Sequence, residues 1–402
     1  MKPGQLRIFL AVCQCQSTAK AGAIVHRTQS SVSSAISAIE KRLGFNLFER
    51  SPRGMLPNRA AMVLAQHVGA AVARLRNAEA NFESLGHEAP RFLARATDLQ
   101  LRGLCALAHH RNFLLAAREL DCSEPSLHRA LTALGRSLRC RLWNRNSRGV
   151  DPTQAALVLA EGVGSFASEV RLGLEAARET NGVINGELRV GALPTARPGW
   201  LPDALARTLI RHPHSRVFAM DGPYEEQLVS LRHGRIDMII GALRPSTVTR
   251  DLEQTPIFDD SLSIVVRDGH PLSRGMRSRI RQLRAAQLAA LSWLLPPPGT
   301  PPRQYFDTYL EEKGLPPARC VLACNSMVTI WSLLLTTDFA AVIPTSQTRS
   351  GLISGRLRIL GRPLPGSRHA IGLTARCGFV PTRLQCTFVD ELKLSSRTVS
   401  AD

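Results

Sequence analysis

Residues 29–54 read QSSVSSAISAIEKRLGFNLFERSPRG, and residues 124–149 read EPSLHRALTALGRSLRCRLWNRNSRG. The second stretch repeats the first 95 positions later: Leu43, Leu47 and Arg50 fall on Leu138, Leu142 and Arg145, and Arg53-Gly54 falls on Arg148-Gly149. The match extends both ways. Leu6-Arg7 meets Leu101-Arg102, Ala21 meets Ala116, Pro57 meets Pro152, and Val63-Leu64-Ala65 meets Val158-Leu159-Ala160. Over the ungapped positions 6–68, 19 of 63 residues are identical. A period of this length is too long for a solenoid unit and marks a duplicated domain.

Within the first copy the apolar residues recur at helical spacing. Leu6, Phe9, Leu10 and Cys13 share a face, a short helix is expected around Ala19 to Val25, and Thr28 is placed to cap a third helix whose inner face carries Val32, Ile36 and Ile39. Two short helices joined by a tight turn, the second polar outside, form a helix-turn-helix pattern. The polar face is Gln29, Ser30, Ser33 and Ser34, short side chains that can reach base edges and phosphates. Gly44 to Arg50 and then Arg53-Gly54 read as a two-stranded wing. A small helical bundle with no nucleic-acid role is the plain alternative for one copy taken alone.

Residues 5–61 resemble the winged helix-turn-helix of LysR-type transcriptional regulators. The residues that carry the resemblance are Phe9, Ala21, Gln29, Val32, Ser33, Ile36, Leu43, Gly44, Leu47-Phe48-Glu49-Arg50 and Arg53-Gly54. In that family a long helix follows the wing and pairs between subunits, and residues 59–85 fit it. Family members normally carry one such domain, whereas this chain carries two. In the second copy Glu124 replaces Gln29, His128 replaces Ser33 and Arg129 replaces Ser34. Glu124 repels phosphate but can accept from cytosine. The DNA-reading residues implied are Gln29, Ser30, Ser33, Ser34, Arg50 and Arg53 in the first copy, and Ser126, His128, Arg129, Arg145 and Arg148 in the second.

The connector, residues 86–98, can span at most roughly 43 Å, and a helix of 27 residues is about 40 Å long. The long helices 59–85 and 154–180 can therefore lie antiparallel within one chain, as an intramolecular pseudo-dimer. The rival is pairing of like copies between chains, with four reading units per dimer.

From Gly186 the pattern alternates strand and helix, which implies a mainly parallel sheet. Strands are expected at Glu187 to Leu193, Val217 to Met220, Ile236 to Ile240, Leu262 to Arg267 and Phe339 to Ile343, with helices near Pro202 to Arg211 and Tyr224 to His233. This half resembles the family's two-lobed, periplasmic-binding-protein-like (type 2) effector domain, with lobe I at about 186–261 and 345–395 and lobe II at about 262–343. The fold class expected is therefore multi-domain. Two winged helix-turn-helix domains (1–85 and 99–182, long helices included) precede an α/β effector domain at 186–395.

Ligands of such sheets sit at the carboxyl ends of the strands. The loops that qualify are Pro194-Thr195-Ala196, Gly299-Thr300 before Pro301, and Asn325-Ser326 before Met327. Each leads into a helix N-terminus, where free N–H groups suit carboxylate, phosphate or hydroxyl groups. Ordinary capping is the simpler reading of each. Arg197 and Arg303 lie close by and could meet an anion. An organic acid or a sugar-type molecule is the expected effector.

Charge agrees with a polyanion partner. The 402 residues hold 51 Lys+Arg against 32 Asp+Glu, a formal charge of +19. The excess is spread over net +7 in residues 1–98, +3 in 99–180 and +9 in 181–402, so no basic tail carries it. Lys2 and Arg7 are followed by only six apolar residues, Ile8 to Cys13, too few for a secretory signal, and no run of about 18 apolar residues exists for a membrane span. The nine cysteines lack zinc-ribbon spacing and suit reduced thiols in a cytoplasm.

No phosphate loop, metal spacing or nucleophile elbow appears, so no cofactor and no catalysis are expected. His212/His214 and Asp259-Asp260 are the remaining enzyme-like pairs, and adjacent strand residues point to opposite faces. A redox-sensing regulator using Cys320, Cys324, Cys377 or Cys386, or a constitutive one, is the alternative within the DNA-binding class. The partners expected are an operator duplex, a small effector, RNA polymerase and further copies of the chain, with no membrane.

Overall fold

A computed structural model of the chain describes residues 3–51, 54–88, 96–146, 149–194, 196, 199–245, 251–273, 283–349 and 355–400. The first winged unit holds α1 (Pro3–Cys15), α2 (Thr18–Val25), α3 (Gln29–Leu43), β1 (Phe48–Ser51), β2 (Gly54–Pro57) and the long α4 (Arg59–Ser84). The second holds α5 (Asp98–His110), α6 (Phe113–Glu119), α7 (Glu124–Ser137), β3 (Trp143–Asn146), β4 (Gly149–Pro152) and the long α8 (Gln154–Glu179).

The 95-residue offset survives in atomic detail. Leu6, Phe9, Val12, Val32, Ile36 and Ile39 are buried in the first unit, and Leu101, Leu104, Leu107, Leu127, Leu131 and Leu134 occupy the same places in the second. Asn58 and Thr153 cap the two long helices by accepting from the N–H groups of Ala61 and Ala156, each cap contributing about 1 kcal/mol. In each wing the turn is pinned to the first helix: Met55 N–H donates to the Gln16 carbonyl (2.9 Å), and Val150 N–H to that of Arg111 (3.3 Å). Gly54 and Gly149 hold φ of +124° and +135° there, and a Cβ on Gly54 would lie 2.3 Å from the Gln16 oxygen, so only glycine fits.

α4 and α8 are 26 residues each and pack antiparallel along their length. Gly162 on α8 faces Ala78 on α4, and Gly173 faces His67 and Leu64. The pairing is within one chain. One face of α8 meets α4 and another meets the C-terminal domain, so this helix is buried nearly all round.

That domain contains β5 (Glu187–Ala192), α9 (Trp200–Arg211), β6 (Arg216–Asp221), α10 (Tyr224–Arg232), β7 (Met238–Ala242), β8 (Leu252–Asp260), β9 (Leu262–Arg267), α11 (Ala285–Ala290), β10 (Trp293–Leu295), α12 (Pro301–Glu312), β11 (Cys320–Ala323), α13 (Met327–Thr336), β12 (Ala340–Pro344), β13 (Leu357–Ile359), β14 (His369–Arg376) and α14 (Arg383–Ser400). Two five-stranded sheets form, ordered β6-β5-β7-β14-β8 and β11-β10-β12-β9-β13. In the first, β5 is parallel to β6 and β7, and β14 runs antiparallel to β7 and β8. Trp200, Leu201, Leu384 and Phe388 cover one face of it, while Tyr224, Leu228 and Leu231 cover the other. In the second, β9 runs antiparallel to β12 and β13.

One boundary differs from expectation. The second lobe does not end at residue 343, because β13 pairs with the outer edge of β9, and Leu360 and Leu364 belong to its core. The chain returns to the first lobe only at Ser367 to His369, beside its outward crossing at Asp260 to Leu262. The Ser367 hydroxyl accepts from the Leu262 N–H at 2.9 Å and ties the two crossings together.

A buried polar network locks α8 to the first lobe. Asp237 is fully buried and accepts from Ser168 Oγ (3.2 Å), Arg171 Nη2 (2.5 Å) and Gln385 Nε2 (3.1 Å). Glu179 accepts from the Arg383 and Leu384 N–H groups at 2.7 and 3.2 Å. Removing one partner of such a network leaves an uncompensated charge. Asp237→Asn is expected to lower the unfolding free energy by about 3 kcal/mol, read by urea denaturation followed through tryptophan fluorescence.

Candidate functional site

The first polar face is built by the turn before α3. Thr28 caps the helix by accepting from the Ser31 N–H at 3.3 Å, and its hydroxyl lies 3.1 Å from that of Ser30. Gln29 Nε2 donates to Thr18 Oγ1 at 3.2 Å, bracing α3 against α2. Gln29, Ser30 and Ser34 are exposed and Ser33 is half-buried, so the expected residues do share one surface at a helix N-terminus, where the dipole favours anions.

The second face is built differently. The Ser123 hydroxyl makes no cap and donates instead to Ser126 Oγ at 2.8 Å, which also accepts from Arg129 Nη2 at 3.2 Å. Glu124 and Arg129 are exposed. His128, expected on the reading face, packs between the rings of Phe113 (5.1 Å) and Trp143 (6.1 Å). It therefore braces α7 against α6 and β3. Arg50 and Arg145 lie on β1 and β3, paired with Met55 and Val150. Their side chains, and all of Arg53 and Arg148, lie outside the described residues.

The C-terminal ends of β10, β11 and β12, which run parallel, share one edge of the second sheet, and the end of β5 lies beside the end of β12. Gln347 joins them: its Nε2 donates to the Pro194 carbonyl at 3.0 Å, and its Oε1 is buried without a hydrogen-bond partner among the described residues. Ala196 is fully buried, whereas Thr195 and Arg197 lie outside the described residues.

The Gly299-Thr300 loop is weaker than its sequence promised. The Thr300 hydroxyl donates to the Pro297 carbonyl (2.8 Å) and does not cap α12, and Pro301 and Pro302 offer no N–H. Arg303 is spent on Asp307 at 2.9 Å. The Asn325-Ser326 turn is a true cap, Ser326 accepting from Thr329 N–H at 3.4 Å, with Asn325 exposed.

Sequence reasoning missed the junction between the first lobe and the second winged unit. Arg235 donates to His109 Nδ1 on α5. Burial, then the Arg235 charge, pushes His109 below the ordinary imidazole range, and burial brings His233 down to about 4. Nothing in the sequence pairs position 109 with 235.

The enzyme-like pairs are committed elsewhere. Asp259 pairs with Arg368 at 2.6 Å, Asp260 accepts from Ser346 Oγ at 2.6 Å, and His212 meets Thr387 at 3.1 Å. Among the described residues no three His, Cys, Asp or Glu side chains cluster as a metal site, and no helix is long and apolar enough to cross a membrane. None of the nine cysteines, all of them among the described residues, forms a disulfide. Burial raises the Cys377 and Cys386 thiols, and neighbouring Glu253 and Asp390 add to it.

Comparison with known proteins follows the same division of the chain. The family model for bacterial regulatory helix-turn-helix proteins of the lysR family matches residues 3–62 and again 99–157, and that for the LysR substrate binding domain matches residues 181–395. The HTH-type transcriptional regulator GalR of Pseudomonas putida is 31% identical over 374 residues, 93% of this chain and 92% of that one. A full-length OxyR variant from Pseudomonas aeruginosa superposes with a TM-score of 0.57 at 20% identity, over 75% of this chain and 95% of that one. Full-length CbnR complexed with its target DNA gives 0.50 at 20% identity, over 74% and 100%. A quarter of this chain thus has no counterpart in either structure, whereas the alignment with GalR is long enough to run through both winged units. The chain belongs to the LysR family of transcriptional regulators. It is a DNA-binding regulator with an effector-binding domain.

The thiols allow a direct check. Burial pushes Cys13 and Cys105 up to about 12. At pH 8 about one such thiol in ten thousand is a thiolate. Brief treatment of the native protein with iodoacetamide at pH 8 should leave both unmodified by peptide mass spectrometry, with labelling appearing only after denaturation.

Proposed function

We propose that one chain reads a two-part, asymmetric operator with two unequal heads, and that an effector in the cleft adjusts how the heads are presented. The observation that supports this most is the antiparallel packing of α4 on α8, which sets the two winged units at opposite ends of one seam. The first head offers neutral hydroxyl and amide groups, namely Gln29, Ser30, Ser33 and Ser34. The second offers Ser126 and Arg129 beside the acidic Glu124. Arg129 suits guanine and Glu124 suits cytosine, so the two half-sites differ in sequence. Arg50, Arg53, Arg145 and Arg148 supply phosphate contacts from the wings.

The effector is a small organic acid or a sugar-type molecule. It is held by Pro194 and Thr195 on the first lobe and by Asn325 and Ser326 on the second, with Gly299 and Thr300 contributing shape more than N–H donors; Ala196, expected among them, is buried and its N–H donates to the Leu193 carbonyl at 2.9 Å. Gln347 sits where the two lobes meet and its free oxygen can answer closure. The first lobe is tied to α8 through Asp237 and to α5 through Arg235, so the second lobe moves and the first transmits. Acting this way the protein is a cytoplasmic regulator and not an enzyme, with RNA polymerase and further copies of the chain as partners.

The test is a mobility-shift titration with the DNA immediately upstream of the coding sequence, in rising salt. Arg50→Ala and Arg145→Ala should each weaken binding about tenfold and lower the salt slope by about one. Loss on Arg50→Ala alone would reduce the second unit to a scaffold. No salt-sensitive binding by the intact protein would remove the reading altogether.

A further inference from the structure

The seam between α4 and α8 is unequal in a way that symmetry makes informative. A shift of 95 residues turns each α4 position into its α8 counterpart: His67 into Gly162, Arg74 into Glu169 and Ala78 into Gly173. These six residues meet in the middle of the seam. Gly162 faces Ala78 and the Arg74 carbonyl, and Gly173 faces His67. Glu169, fully buried, lies 3.6 Å from His67 Nδ1 and 3.7 Å from Arg74 Nη2.

Replacing either helix by a copy of the other gives a definite result. In an α4–α4 pair of the same geometry, His67 of one helix stands where Gly162 stood and Ala78 where Gly173 stood. Their Cβ atoms then come 2.2 Å from the Cβ of Ala78 and 2.7 Å from the Cβ of His67. Both distances are overlaps. Arg74 also replaces Glu169, so guanidinium faces guanidinium and imidazole. In an α8–α8 pair, glycine faces glycine and leaves two voids. The two Glu169 carboxylates then approach one another, buried and with no cation from the opposite helix. Like charges and voids of that kind are what specify pairing in helical seams.

We infer that the α4–α8 seam is a partner-selecting lock: it accepts the unlike helix of its own chain and rejects a second copy of either helix. A single chain is therefore the complete two-headed unit, and further association between chains leaves this seam intact. The inference concerns the seam alone and stands whatever the cleft binds.

Full-length variants test it. Gly173→Ala places a Cβ against His67 and should lower the thermal midpoint by about 5 °C. His67→Gly in the same chain takes away the Cβ that the new methyl crowds, and should recover part of that loss. A Gly173→Ala protein too unstable to purify does not end the test, because the double variant is expected to be soluble and folded. A double variant no better than Gly173→Ala would overturn the lock. Co-expressing the two single variants as separate chains should give no recovery; recovery there would show that the seam forms between chains and would overturn the single-chain unit. The readout is a melting curve and needs no DNA, so failure of operator binding and failure of the lock are distinguishable.

Discussion

Everything in this molecule hangs from the close approach of α4 and α8. Two amphipathic helices about 39 Å long bury their apolar stripes on one another, with Leu64, Val68, Ala71 and Leu75 on one side and Leu159, Val163, Phe166 and Val170 on the other. The winged units are too small to bury much surface alone. They gain stability by sharing this seam, and their core residues form one continuous cluster with it. α8 then does a second task. Its outer face carries Ser165, Ser168, Arg171 and Glu179 into the first lobe, so the helix that completes the DNA-reading half also anchors the effector half.

Much of this was legible beforehand because it rests on local pattern. The duplicated cores follow from apolar residues at helical spacing, and the cap at Thr28 follows from residue type. The offset placed every element of the second unit within a residue of its counterpart. Strands β8, β11, β13 and β14 and helices α11 and α14 escaped notice. β8 lies at a sheet edge, carries Pro256 beside a shift of register against β14, and alternates too weakly to read as a strand. β13 is three residues long and acquires its place only by joining β9.

The candidate sites were less legible than the fold. Side-chain identity places Gln29 and Ser34 on a surface, but it does not say that His128 turns toward Phe113 and Trp143. Nor does residue type reveal that Thr300 spends its hydroxyl on Pro297, since that depends on how a proline-rich turn closes. Contacts far apart in sequence, such as Arg235 with His109 or Gln347 with Pro194, leave no trace in a single chain.

On the proposal that both winged units read DNA, their covalent link changes how the protein responds to its own abundance. Regulators that assemble two heads from two chains lose them on dilution, and the population of complete units falls with the square of concentration when monomers dominate. Here the second head is present at a fixed effective concentration set by the chain itself. Occupancy of a two-part operator then follows the first power of protein level, even at a few copies per cell. A substitution in one head is likewise not doubled by symmetry, so the two heads are free to differ, as Gln29 and Glu124 do.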